Sequence, residues 1–287
     1  MELQQIKYFR VIAQTGNISK AAEMLYIAQP SLSQMLKRLE DELGTPLFDR
    51  NGKKIVLNGA GRIFLKYCNE IVTSLENAEL ELNEYKGNET SDINITVESA
   101  SLLIPDIIEE LRNNFPQIMP HIFQSGCTDW DLKIHSDYSN ACNETILLEE
   151  AIGVVMPKQH PLAEKSVITK QDLIEYDFIS LSSECNLYKI ISHFCENANF
   201  TQSISMFIDS PPLMRDLLKM NLGIAFVPQY TWYSFYNDIL EFRTIEDLPM
   251  TRYVCLAVND RKYLTDAVKK CRDTITEYFE EYNRKFQ

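Results

Sequence analysis

Residues Gln29 to Leu43, QPSLSQMLKRLEDEL, constrain what this chain can fold into more than any other stretch. Leu32, Met35, Leu36, Leu39 and Leu43 recur at i, i+3, i+4, i+7 and i+11, which places them on one face of an α-helix. The opposite face carries Ser31, Ser33, Gln34, Lys37 and Arg38. Short hydroxyls, an amide and two cations are the side chains that reach base edges and phosphates. Pro30 suits a first helical turn, where a missing N–H costs nothing. Gly44 follows the last apolar residue, where helices commonly end in a glycine. By itself the stretch is equally an amphipathic core helix with a solvated face; its neighbours decide between the two.

Upstream, Leu3, Ile6, Phe9, Ile12 and Ala13 mark a first helix that stops at Gly16. Asn17 can cap a second, whose Ile18, Ala21, Ala22 and Leu25 repeat at helical spacing. Only Tyr26-Ile27-Ala28 separates it from the Gln29 helix, and two helices so joined form a helix-turn-helix. Downstream, TPLFDRNGKKIVLN contains Asn51-Gly52, a strong hairpin turn signal between short apolar runs. That predicts a basic wing, with Arg50, Lys53 and Lys54 placed to touch DNA backbone or the minor groove.

With these residues in hand, residues 1–62 resemble the winged helix-turn-helix of the LysR-type transcriptional regulators. The likeness is carried by Leu3, Tyr8-Phe9, Gly16, Ala21-Ala22, Leu25 and Gln29-Pro30-Ser31-Leu32-Ser33. It continues through Leu39-Glu40, Leu43-Gly44, Pro46-Leu47-Phe48, Arg50 and Gly59 to Gly61, without a gap. The resemblance implies double-stranded DNA as a partner, read at an inverted repeat near a promoter. It places Ser19, Lys20, Gln29, Pro30, Ser31 and Ser33 at that interface, with Gln34, Lys37, Arg38, Arg50, Lys53 and Lys54. Gln29, Ser33, Gln34 and Arg38 are expected in the major groove, and the wing cations on the backbone. Ala28 stands where the family usually has Ser or Thr, which removes a capping oxygen worth roughly 0.5–2 kcal/mol. Gln34 stands where many members have Arg, so base preference does not transfer.

Charge agrees with a split chain. The net charge is −13, yet residues 1–62 hold nine Lys/Arg against six Asp/Glu, while the remainder holds nineteen against thirty-five. A mildly basic head on an acidic body suits a DNA-reading module joined to a different domain. Length, at 287 residues, also suggests about two domains. The expected fold class is α+β with two domains: the winged helix-turn-helix and a long linker helix, then a two-lobed α/β effector domain. The boundaries read as 1–58 for the DNA-binding domain, 59–87 for the linker helix, 88–92 for a hinge and 93–287 for the effector domain. Asn58 can cap the linker helix, in which Phe64, Cys68, Ile71, Leu75, Ala78 and Leu82, then Tyr85, alternate at spacings of 4 and 3. Such a heptad seam suits dimerisation, the use the family makes of this segment; the alternative is a helix packed on its own domain.

Beyond residue 92 strands and helices alternate, as in an α/β sheet. The succession is similar to the family's effector-binding half, which looks like a periplasmic binding protein. His160-Pro161-Leu162, Asp172-Leu173-Ile174 and Gly223 to Pro228 carry that likeness. It implies one lobe of 93–156 with 256–287, a second of 157–255, and a cleft between them. Glu98 to Ser101 is a couple of residues short of the family pattern, and between Gln124 and Trp130 a helix of the family is missing. Either the lobe has lost it or Asn143 to Glu150 partly replaces it, which leaves dimer against tetramer open.

Three strand-to-helix turns carry hydroxyls: Ser99 with Ser101, Ser182 with Ser183, and Ser210. Hydroxyls beside free helix N-terminal N–H groups favour a small anion, most often a carboxylate, with simple helix capping as the alternative, and the two can coexist. Phe226 completes the expected effector set. Glu98 and Glu184 sit beside these turns and could select an amine, so an amino-acid-like effector is a further reading.

Other chemistries fare less well. There is no nucleophile elbow, P-loop or metal triad, so no enzyme activity, metal or cofactor beyond the effector is expected. The seven cysteines are scattered without a CxxC and the four histidines lack ligand spacing. No apolar run of ~18 residues exists, so no membrane is expected as a partner. Met1 to Gln4 lack the features of a signal peptide, and a reducing cytoplasm is the expected location. An alternative is a thiol switch: Cys185 lies near a helix start and Cys195 ten residues later, resembling peroxide-sensing members of the family. On an intact helix the two stand ~15 Å apart. The family also leaves RNA polymerase as a further partner.

Overall fold

The computed structural model describes residues 1–51, 54–87, 91–124, 126–137, 144–236 and 238–286; the side chains of Arg50, Asn51 and Lys54 lie outside that description. The chain divides into two compact units, Met1–Thr90 with Asp260–Thr265, and Ser91–Asn259 with Asp266–Gln287.

The first unit contains helices α1 (Leu3–Thr15), α2 (Ile18–Met24) and α3 (Gln29–Leu43), the hairpin strands β1 (Phe48–Asn51) and β2 (Lys54–Leu57), and helix α4 (Gly59–Tyr85). Capping follows the sequence. Gly16 and Gly44 end α1 and α3 in left-handed conformations, and Asn17 Oδ1 accepts from the Ser19 and Lys20 amides. Ala28 at the start of α3 makes no side-chain cap bond, as its missing hydroxyl requires. Phe9, Ile12, Leu32 and Leu39 are fully buried at the centre, with Phe9 5.0 Å from Phe64 and 5.5 Å from Phe48 between ring centroids.

This core corrects the linker seam. Cys68 is fully buried with Val72 in the same cluster, and Phe64 packs against it. Their spacing is heptad-like because the first turns of α4 close the three-helix core, so these two belong to one chain's interior. The exposed apolar side chains of α4 are Ile63, Tyr67, Ile71, Leu75, Leu82 and Tyr85, with Ala78 exposed as well. Gly61 permits the close approach at the helix start: a Cβ there would meet the Leu47 carbonyl oxygen at 2.0 Å.

The second unit opens with β3 (Asp92–Val97), a 3-10 turn (Ser101–Leu103) and α5 (Ile104–Asn114). There follow β4 (Met119–Phe123), β5 (Leu132–Asp137) and β6 (Thr145–Pro157), then a second 3-10 turn (Pro161–Glu164), α6 (Lys170–Leu173), β7 (Asp177–Leu181) and α7 (Asn186–Asn197). The remainder is β8 (Ser203–Ile208), α8 (Pro211–Lys219), β9 (Ala225–Pro228), α9 (Tyr233–Tyr236), β10 (Leu240–Arg243), β11 (Met250–Val258) and α10 (Asp266–Arg284). The main sheet runs β10-β6-β11-β5-β3-β4, with β9 also on β6, while β7 and β8 pair in parallel.

β6 and β11 join the two lobes. The first half of β6 pairs with β11, and its second half with β9 and β10. β11 in turn pairs with β5 from Tyr253 to Val258. Thr145 to Glu150 are therefore strand, so this stretch does not replace the missing helix, and no helix stands between β4 and β5 among the described residues. β10 and α9 were not evident from periodicity, being too short to show one. Gly153 on β6 lets Phe242 of β10 lie across it, since a Cβ would sit 2.5 Å from that ring.

Candidate nucleic-acid interface and ligand cleft

On α3, the buried residues Leu32, Leu36 and Leu39 turn the polar residues outward. Gln29, Pro30, Ser31, Gln34, Lys37 and Arg38 are exposed and Ser33 is half-buried. Ser19 and Lys20 are exposed at the start of α2. Gln29 Nε2 donates to Ser33 Oγ at 2.8 Å, so the two side chains form one polar unit one helical turn long. Leu43, expected on the core face, is exposed because Gly44 ends the helix there. The wing is held to α3 by a residue that periodicity cannot single out: Glu40 Oε1 accepts from the Leu47 amide at 2.7 Å. Strands β1 and β2 pair from Phe48↔Leu57 to Asn51↔Lys54. Lys53 lies outside the described residues, as do the side chains of Arg50 and Lys54.

In the second unit a cleft of about 670 Å³ opens where β3, β7 and β8 end. From one side it is lined by Glu98, Ser99 and Ser101, and by His135 and Ser136 of β5. From the other come Ser182, Glu184, Cys185, Asn186, Lys189 and Asp209. Tight local geometry makes the β3 turn: the Glu98 and Ser99 amides both donate to the Ile134 carbonyl, and Ala100 adopts a left-handed φ of 58°. Ser99 is buried and its Oγ has no hydrogen-bond partner. A buried hydroxyl left unpaired costs about 1–3 kcal/mol, a deficit that a bound polar atom removes. Across the cleft, Cys185 precedes α7 and makes no side-chain cap bond, so the helix begins without a protein acceptor there. Asn186 Nδ2 reaches over to the Ser136 carbonyl at 2.6 Å, tying the lobes together.

The other predicted residues divide. Ser182 Oγ accepts from the Glu184 amide at 3.4 Å, within its own turn. Ser183 is exposed and does not line the cleft, and Ser210 caps α8, its Oγ accepting from the Leu213 amide at 3.5 Å. Phe226 is corrected outright: it is buried in the core, with its ring centroid 4.9 Å from that of Phe178. All four residues of β9 are buried, and Phe226 does not line the cleft. Of the two acids, Glu98 is paired with Lys133 at 2.8 Å, whereas Glu184 is exposed.

Cys195 is buried, and its Sγ accepts from Gln202 Nε2 at 3.1 Å. Burial pushes its thiol pKa up. A redox pair with Cys185 needs a reactive thiol at a position the fold keeps protonated.

Sequence reasoning missed a buried ionic pair. Glu150 on β6 and Arg252 on β11 are both buried, both inside apolar strand runs, and Arg252 lines the cleft. The available signal was Arg252, the single charge within its apolar run, since a buried charge needs a partner; Glu150 is masked by its neighbour Glu149.

Residues 3–62 match the family profile described as "Bacterial regulatory helix-turn-helix protein, lysR family", and residues 134–280 match "LysR substrate binding domain". The chain is 28% identical to the "Probable RuBisCO transcriptional regulator" of Thalassiosira pseudonana, over 92% of this chain and 94% of that one. It is 27% identical to "HTH-type transcriptional regulator YtlI" of Bacillus subtilis, over 100% of this chain and 97% of that one. Among solved structures, a full-length OxyR variant from Pseudomonas aeruginosa aligns with a TM-score of 0.67 at 19% identity, covering 96% of this chain and 94% of that chain. Full-length CbnR complexed with its target DNA aligns with a TM-score of 0.60 at 14% identity, covering 96% of this chain and 99% of that chain. These structural likenesses concern the fold. With the head and most of the effector domain both matched in order along one chain, this protein belongs to the LysR family of transcriptional regulators.

Proposed function

We propose that the second unit binds a small carboxylate or amino-acid-like effector in the cleft, and that its occupancy adjusts how a homo-oligomer grips an inverted-repeat operator. The observation that carries this reading is Ser99: a buried, unpartnered hydroxyl lining the cleft, opposite a helix start with no side-chain cap. Both features favour an acceptor atom, and a carboxylate brings two. Glu184 and Asp209 on the same cleft suit an ammonium group. On the DNA side, Gln29, Ser33, Gln34 and Arg38 read bases and Lys20 and Lys37 meet phosphates. The exposed Ile71 and Leu75 stripe of α4 supplies the oligomer contact.

A ligand that binds only the folded state raises its stability, by about 2.7 kcal/mol at a hundredfold excess over Kd. Thermal melts of the purified protein against small carboxylates and amino acids test the reading. The expected result is a raised Tm for a subset of these compounds in the parent and a diminished shift in Ser99→Ala. A panel with no shift, or an equal shift in Ser99→Ala, overturns it.

A further inference from the structure

Arg252, which lines the cleft, belongs to a buried ionic knot. Glu150 and Arg252 face each other across β6 and β11. Arg252 Nε donates to Glu150 Oε1 at 2.9 Å, and Nη2 lies 2.8 Å from the same oxygen. Nη2 also donates to Thr231 Oγ1 at 2.7 Å, and that hydroxyl donates to Glu150 Oε1 at 2.8 Å. Glu150 Oε2 accepts from the Tyr230 and Thr231 amides at 2.7 and 2.8 Å. Thr231 is fully buried, and Glu150 and Arg252 are each 2% exposed.

Two features of the knot bear on ligand choice. Every hydrogen bond that Arg252 makes within it leaves from Nε or Nη2, while the residue as a whole lines the cleft. The carboxylate of Glu150, by contrast, is saturated: its lone pairs are taken by the guanidinium, a hydroxyl and two backbone amides. The pair therefore does not face the cleft evenly. Arg252 lines it and Glu150 does not. A guanidinium held rigid by one acid is prepaid in entropy for a second, since its planar fork matches a carboxylate.

We propose that Arg252, positioned by Glu150, is the group by which this cleft selects a carboxylate over an uncharged ligand of the same shape. The assignment rests on the effector reading given above and names its specificity residue. Glu150 is a positioning residue: it touches Arg252 and the segment after β9, not the ligand. Because that segment also donates the Gln229 amide to the Ala151 carbonyl, a pull on Arg252 reaches both strands that join the lobes.

The experiment compares carboxylates with their primary amides: acetate with acetamide, benzoate with benzamide, and the amino acids with their amides. Binding is measured on the full chain by thermal shift and calorimetry. In the parent, a stabilising carboxylate is expected to outbind its amide on the order of 10- to 100-fold, the range of a hydrogen bond to a charged group. Removing one partner alone leaves a buried charge and threatens folding, so the main variant replaces both, Glu150→Leu with Arg252→Met. There the carboxylate-to-amide ratio is expected to fall to near one, while Arg252→Lys keeps the charge, loses the fork and falls between. A purely structural role would weaken acid and amide alike and leave the ratio unchanged, which overturns the assignment while leaving the cleft reading intact. If no carboxylate binds the parent at all, the cleft reading fails and this assignment with it.

Discussion

Gly61→Ala sets two known effects against each other at one atom. In an exposed helix, Ala is favoured over Gly by about 1 kcal/mol. At Gly61 the new Cβ would lie 2.0 Å from the Leu47 carbonyl oxygen and 2.7 Å from Leu57 Cδ2, where ordinary contact is about 3.5–4 Å. The leucine methyl can rotate away. The carbonyl cannot, because it accepts the Asn58 amide at 3.1 Å, and Asn58 in turn caps α4 through the Gly61 amide and donates to the Pro46 carbonyl. Overpacking of this kind costs about 1–3 kcal/mol, and a weakened hydrogen bond adds about 0.5–1.5 kcal/mol. The clash wins, with a net loss on the order of 1–3 kcal/mol in the first unit. Gly59→Ala is the control: nothing lies within 4 Å of its Cβ, so only the helix preference remains. Both tryptophans, Trp130 and Trp232, belong to the second unit, so fluorescence would miss the change. Amide exchange read peptide by peptide reports it instead. Faster opening of α1 and α4 in Gly61→Ala, and parent-like or slower opening in Gly59→Ala, is expected. Exchange in Gly61→Ala as slow as in the parent would refute the packing argument.

Ala28→Ser restores a cap acceptor to α3 and should stabilise the first unit by about 0.5–2 kcal/mol, seen as slower exchange at the start of that helix. Leu75→Asp puts a charge on the exposed stripe and should shift sedimentation toward the monomer, whereas Cys68→Ser should loosen the head core without changing the oligomer. Burial raises the thiol of Cys68 to about 11 and that of Cys271 to about 12, so both stay protonated at pH 8 and should resist an aromatic disulfide reagent until the protein unfolds, while half-buried Cys127 and Cys185 react in the native state.

Periodicity recovered nearly every helix and strand because most of them bury one face and show it in the spacing of their apolar residues. The elements that escaped are α6, α9 and β10, four residues each and too short for any period to register, together with the first half of β6. Where spacing misled, the reason was geometric. Phe64 and Cys68 continue the heptad of α4, yet the first turns of that helix close the head core, and a period cannot say which partner a face meets. Phe226 sits in a motif shared with the family, but β9 is buried along its whole length and packs that ring into the core. The serine turns were legible because hydroxyls cluster after strands; which of them is unsatisfied was not, since that depends on every neighbouring donor. The Glu150 and Arg252 knot joins positions 102 residues apart, a pairing fixed by strand register that no local pattern contains.

Occupancy of the cleft by a carboxylate is expected to reach the DNA-reading head through this chain's own structure. The most direct measurement is operator binding by fluorescence anisotropy, in the presence and absence of the carboxylate that gives the largest thermal shift. The parent and Ser99→Ala should bind the bare operator with equal affinity, and the carboxylate should change the affinity or salt dependence of the parent alone. An effect of equal size in both proteins, or none in the parent at saturating carboxylate, would contradict the account.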